Sequence, residues 1–140
     1  MSDWNDRIIA EFRGNDGKVG GPFEGAHLLL LTTTGAKSGL VRVSPMVYFA
    51  GGGDETVYVI ASKAGAPSHP AWYHNLVANP EVRVEQATSH GVDVWSGRAE
   101  PVTGAERDEL FAQFAARNPG FGDYQARTER IIPVVRITKL

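Results

Sequence analysis

The chain has 140 residues, of which 42% are hydrophobic and 21% charged, with a formal net charge of −2. That length suits one domain with a core of its own, and the slightly acidic balance argues against a nucleic-acid binder, which carries a basic stripe. There is no cysteine, which excludes a disulfide framework, a thiolate nucleophile and Cys-ligated zinc or iron–sulfur clusters.

Residues 1–14 (MSDWNDRIIAEFRG) lack the basic-then-apolar profile of a secretion signal. No apolar run approaches the ~18 residues of a membrane span. Trp4, Ile8, Ile9 and Phe12 fall on one face of a short amphipathic helix. Its first reading is a helix that caps the domain; attachment to a membrane surface is the alternative. The protein accordingly reads as cytoplasmic, with a membrane-peripheral position kept open.

Residues 15–22 (NDGKVGGP) form a glycine-rich loop. Leu28, Leu29, Leu30 and Leu31 then read as a buried strand running into Thr32, Thr33 and Thr34. GAKSG is a tight connection. Beyond it Val41, Val43, Val47 and Phe49 alternate with Arg42, Ser44 and Tyr48, the period of a half-buried strand. Pro45 cannot donate a ladder hydrogen bond, so it marks an edge or a bulge. Residues 51–55 make a hairpin turn, and TVYVIA (56–61) is the returning strand.

Trp72, Tyr73, Leu76 and Val77 repeat at helical spacing, Pro70 suits a first turn, and Asn79 with Pro80 stops the helix. Residues 81–87 and 91–100 are two further strands joined at 88–91. Thr103 and Glu106 form a capping box that opens a helix whose inner face is Leu110, Phe111, Phe114 and Ala115. Residues 118–122 break that helix, and the chain closes on a strand, 131–140, interrupted early by Pro133. The pattern predicts about six strands and three helices in antiparallel hairpins, an α+β or mainly β fold.

Two stretches carry most of the chemistry: 32–45 (TTTGAKSGLVRVSP) and 60–75 (IASKAGAPSHPAWYHN). Between Gly25 and Pro80 the only acids are Asp54 and Glu55. Lys37, Arg42 and Lys63 therefore have almost no neighbouring carboxylate, and a turn with free N–H groups beside Lys37 suits an anion. GAKSG is not a phosphate loop, which needs GxxxxGK[ST] entering a helix. Small residues at 63–66 let a flat ring approach the backbone with Trp72 as a wall, although a core role is the plainer reading of a tryptophan. His69 and His74 are five apart and His27 and His90 stand elsewhere, so no metal site is expected. There is no GxSxG nucleophile elbow. Such a protein either only binds or lets a cofactor carry the reaction.

NDG at 15–17, TTTGAKSG at 32–39, RVSP at 42–45, ASK at 61–63, PAWYHN at 70–75 and DYQARTERIIPV at 123–134 follow one another along nearly the whole chain. In that order they resemble the deazaflavin-dependent nitroreductase family of split β-barrel proteins, which use coenzyme F420. The resemblance implies one domain, 1–140, built as a split β-barrel with flanking helices. It implies that the anionic tail of F420 lies against Ala36, Lys37, Ser38 and Arg42 and along Val43, Ser44, Pro45, Met46 and Val47. It puts the deazaflavin ring at Ile60, Ala61, Ser62 and Lys63, beside Ala71, Trp72, Tyr73, His74 and Asn75, with Phe121 close by.

The reaction so implied is hydride transfer from reduced deazaflavin to an electron-poor acceptor such as a quinone, an enone or a nitroaromatic. Tyr124 is the candidate for polarising the acceptor's oxygen. Ala36 stands where some members carry arginine, and Asn118 and Phe121 stand where the nitroreductase member has tyrosines, which favours quinone or enone reduction over nitro reduction. An FMN-dependent oxidoreductase on the same barrel is the second reading and a non-enzymatic F420 or lipid carrier the third. A homodimer is left open.

Overall fold

The computed structural model describes residues 3–21, 27–51 and 55–140. In chain order the elements are α1 (Asp3–Gly14), β1 (Leu28–Thr34), β2 (Val41–Ala50), β3 (Thr56–Ile60), α2 (Ala71–Ala78), β4 (Glu81–Thr88), β5 (Gly91–Val102), α3 (Gly104–Arg117), α4 (Pro119–Ala126) and β6 (Val134–Lys139). A 3-10 turn, Lys63–Gly65, precedes α2. The six strands pair antiparallel around a barrel in the order β1-β2-β3-β6-β5-β4, which β4 closes back onto β1.

The run of leucines in β1 is apolar on both faces because both faces are covered. Leu29 and Leu31 point into the barrel with Val57, Val59, Val84, Val135 and Ile137. Leu28 and Leu30 point outward, under Ile8 and Phe12 of α1. Burying each such side chain contributes roughly 1.5–3 kcal/mol. On another outer surface α3 and α4 cover Phe49, Ile60, Ile132 and Val134 with Phe111, Phe114 and Phe121, and the rings of Phe49 and Phe114 stack with centroids 4.3 Å apart. The apolar face of α1 is thus used on the barrel, the capping role, while Trp4 remains 48% exposed. Among the described residues no helix is long and apolar enough to cross a membrane.

Several expectations need correction. Residues 118–122 do not simply end a helix: Asn118 closes α3 and also opens α4, with Pro119 in its first turn. Gly120 and Gly122 hide this helix from propensity, and burial of Phe121 compensates for them. Thr103 does sit at the N-cap of α3 but its side chain makes no capping bond. Glu106 accepts instead from the Arg136 guanidinium, which also takes Glu100, because a charge-assisted bond outcompetes a neutral backbone N–H. The strand expected at 91–100 runs on to Val102, the one expected at 56–61 stops at Ile60, and the last begins only after Pro133, at Val134. Pro22, Asp54 and the middle of the 51–55 turn lie outside the described residues.

The period-of-two reading of β2 also inverts. Tyr48 is buried in the barrel and its hydroxyl donates to the Ala87 carbonyl at 2.6 Å. Val43 and Val47 instead face outward beneath α1, and Val41 is 64% exposed. Val43 and Val47 go outside here because α1 covers that side.

β2 is also where the barrel is split. It pairs with β1 along 41–47, but β3 reaches only Tyr48, Phe49 and Ala50. Among the described residues, 41–47 therefore have one paired edge and one open edge, and Pro45 sits on that open stretch as expected.

Candidate functional site

Asn75 of α2 joins the two chemistry-bearing stretches. The Ala36 N–H donates to Asn75 Oδ1 at 3.0 Å, and Asn75 Nδ2 donates to the hydroxyl of Thr33 at 3.2 Å. One turn on, Asn79 Nδ2 donates to the Thr34 carbonyl at 3.3 Å. The helix bearing Ala71, Trp72 and Tyr73 is thereby pinned against the basic turn. The Asn75 amide is committed to this task, so it positions the two stretches.

The turn itself is closed by Gly35 N–H to the Leu40 carbonyl at 2.7 Å and Gly39 N–H to the Gly35 carbonyl at 3.0 Å, and Ser38 Oγ accepts from Leu40 N–H at 3.1 Å. This leaves Ala36, Lys37 and Ser38 exposed, with Arg42 exposed at the start of β2. Among the described residues neither Lys37 nor Arg42 has a hydrogen-bond or ion-pair partner. By contrast Arg13, Arg107 and Arg136 each hold a carboxylate. Two exposed cations without a counter-charge are suited to an anion brought from outside.

Directly opposed residues of an antiparallel pair share a face. The register Thr33↔Arg42, Leu31↔Ser44 and Leu29↔Met46 therefore puts Arg42, Ser44 and Met46 on the interior-facing side of β2. Met46 packs on the interior cluster together with Trp72 and Tyr73. The Tyr48 N–H donates to the His27 carbonyl at 3.0 Å, which turns the even-numbered backbone groups of β2 toward β1 and the odd-numbered ones toward the open edge. Val43 and Val47 thus turn their backbone, not their side chains, to the open edge, and Pro45 between them has no N–H to leave unsatisfied.

The loop after β3 is held by Arg130, from the C-terminal stretch 123–134. Arg130 donates Nε to the Ala66 carbonyl at 2.8 Å, Nη2 to the Ser62 carbonyl at 2.7 Å and Nη1 to the Ala61 carbonyl at 3.2 Å. Nη1 also lies 3.0 Å from His69 Nδ1. Burial pulls the Arg130 pKa below the usual arginine value. No feature of the sequence says that this cation reaches across to the loop. Arg107 was missed too: it is buried, and donates twice to the Ile132 carbonyl (3.0 and 2.8 Å) and once to Gln125 Oε1 (2.7 Å). Gln125 in turn donates to the Arg130 carbonyl at 2.8 Å, so α3, α4 and the segment before β6 form one hydrogen-bonded unit that presents Arg130.

On the loop, Lys63 has a positive φ of 46° and its Nζ donates to Ser68 Oγ at 3.2 Å. Helix α4 passes so close that a Cβ on Gly65 would lie 2.8 Å from the Tyr124 carbonyl. Tyr124 therefore stands beside the loop, its ring edge-on to Phe121 at 6.1 Å and 5.8 Å from the Arg127 guanidinium. Phe121 is a core residue under α4, 8% exposed. A cleft of about 300 Å³ lies next to the loop, lined among others by His69, Tyr73, Thr103, Arg107, Ile131 and Pro133. A second, lined by Tyr48, Phe49, Ala50 and Arg117, lies at the other end of β2. Lys37, Arg42 and Lys63 belong to neither and stand on open surface.

A closed six-strand antiparallel barrel with part of one strand edge, 41–47 of β2, unpaired among the described residues is a split-barrel protein. The chain belongs to the F420H(2)-dependent quinone reductase family, whose model matches residues 4–139. It is 37% identical over 134 residues to an F420H(2)-dependent quinone reductase of Mycobacterium tuberculosis strain H37Rv, covering 93% of this chain and 86% of that one. Among solved structures it is similar to an F420-H2 dependent reductase, FDR-A, with a TM-score of 0.67, 37% identity and coverage of 79% of this chain and 92% of the other. A domain-swapped dimer matches with the same TM-score and 38% identity, covering 79% of this chain and 78% of that one. HutZ, a heme storage protein of Vibrio cholerae, shares the fold at 17% identity, a TM-score of 0.61 and coverage of 96% of this chain and 89% of its own. Family membership makes the chain an oxidoreductase with F420 as its cofactor, and the FMN and carrier readings fall away.

Proposed function

We propose that this chain passes reducing equivalents from F420 to a quinone-type acceptor, with the cofactor lying along the open edge of β2. The observation that carries the proposal is the pairing of that edge with Lys37 and Arg42, two cations without a protein partner among the described residues, pinned by Asn75 to the helix of Trp72. In this reading Lys37, Arg42 and the Ala36 and Ser38 positions hold the anionic tail. Val43 and Val47 supply backbone groups along the edge, and Ser44, Pro45 and Met46 complete it. Ile60, Ala61, Ser62 and Lys63 carry the ring, with Ala71, Trp72, Tyr73 and His74 on the helix beside it. When bound, reduced F420 supplies the hydride, and Tyr124 stands beside the loop assigned to the ring. The cytoplasm is the proposed compartment. A homodimer is the proposed assembly, supported by the domain-swapped dimer among its structural relatives.

Replacing Lys37 and Arg42 together by alanine is expected to weaken F420 binding by about tenfold at low ionic strength. The deficit shrinks as salt is raised, because exposed charge contacts are screened within ~10 Å at 0.1 M. Quenching of F420 fluorescence across a salt series measures this, and an affinity unchanged at low salt rules out the cation clamp.

A further inference from the structure

We infer that the cleft beside the loop is the acceptor site, where the Nε2–H of His69 donates a hydrogen bond to a carbonyl oxygen of a flat, apolar dicarbonyl. This rests on the reductase reading above. The cleft holds about 300 Å³, the lower end of what small-molecule sites occupy. Val102, Ile131 and Pro133 give it apolar walls, Tyr73 an aromatic one, and Ile131 at its rim is 69% exposed. Into this apolar setting His69 brings one polar edge.

The direction of that edge is set by Arg130. A guanidinium has donors only, so a 3.0 Å contact from Arg130 Nη1 to His69 Nδ1 requires the lone pair on Nδ1 and places the ring hydrogen on Nε2. Among the described residues Nε2 has no partner. Burial, the Arg130 charge and His74 all push the His69 pKa down, which favours the neutral ring. Its other charged or titratable neighbours are Tyr73, with ring centroid at 4.8 Å, and, on the α3 wall of the cleft, Arg107 paired with Asp108 at 3.1 Å.

The same guanidinium that aims His69 also holds the carbonyls of Ala61, Ser62 and Ala66. The donor and the loop assigned to the ring are therefore one rigid unit, with Arg130 as positioning residue. Hydride arrival adds two electrons and one hydrogen to the acceptor and leaves one of its oxygens anionic. The Nε2–H stabilises that oxygen, water supplies the remaining proton, and His69 ends unchanged.

The test uses the F420-loaded full chain with menadione as acceptor. His69→Phe, which keeps ring volume but has no donor, is expected to lower kcat/KM by roughly tenfold to a hundredfold. His69→Gln, which keeps a donor, recovers part of that loss. F420 affinity by fluorescence quenching stays within about twofold in both, and failure of the wild-type chain to bind F420 at all sinks the parent reading instead. In case His69→Phe misfolds, 15N–1H correlation spectra of wild type report the His69 tautomer, and menadione should shift the methyl signals of Thr103 and Ile131. A hydrogen on Nδ1, unshifted Thr103 and Ile131 methyls, unchanged turnover in a folded His69→Phe, or a loss carried by Tyr124→Phe alone overturns the assignment.

Discussion

Replacement of Arg107 by methionine is expected to destabilise the fold by about 2–4 kcal/mol, lowering the thermal midpoint by roughly 6–15 °C for a chain of this size. Arg107 is only 9% exposed. Its loss strips two donors from the Ile132 carbonyl and one from Gln125, at the point where α3, α4 and the approach to β6 meet. Methionine fills much of the volume, so the loss reports mainly on unsatisfied acceptors. The control is Asp108→Asn. Asp108 is bonded to the same guanidinium at 3.1 Å, but its side chain is 74% exposed, and a surface ion pair contributes little. Thermal and urea unfolding of both variants separates the two ideas. Equal midpoint losses mean that the surface pair, and not the buried carbonyl bonds, dominates.

Gly65→Ala is expected to be nearly as damaging, and to strike activity as well. At φ +80° an L-residue is strained by roughly 1–2 kcal/mol. The added methyl also meets the Tyr124 carbonyl at 2.8 Å and its Cα at 3.2 Å, both backbone atoms that no rotamer change can move. Either the loop or α4 has to shift, so Tyr124 and Lys63 separate. Gly39→Ala is the matched comparison: its φ is +70°, but none of the described residues stands within 4 Å of the new methyl, so only the backbone strain remains. Unfolding free energies and quinone turnover for the pair isolate the collision. A Gly65→Ala enzyme no worse than Gly39→Ala in both shows that α4 yields freely.

Most of the architecture was legible because its signals are local. The unbroken leucine run of β1, the alternation in TVYVIA and the N-terminal stripe of Ile8 and Phe12 are each honoured by burial. Helix α4 was illegible because two glycines and a proline obscure a helix that only the burial of Phe121 supports. Tyr48 and the valines of β2 exchanged faces since periodicity cannot tell the inside of a barrel from an outside covered by helices. In the candidate site, the exposed cations could be picked out by the absence of nearby acids. Arg130 and Arg107 could not, because their partners are main-chain carbonyls, which any sequence possesses.

The unpaired stretch of β2 has a consequence for solubility as well as for chemistry. A bare strand edge is a template on which another chain can stack, and proteins blunt such edges with charge and proline. Here Pro45 removes a donor from the middle of the edge, and Lys37 and Arg42 place two like charges at its start, which repel a second copy. The groups proposed to attract a polyanion are thus also gatekeepers against edge-to-edge stacking of strands. Neutralising them removes two protections at once, and a Lys37/Arg42 double variant without cofactor should be the form most inclined to aggregate.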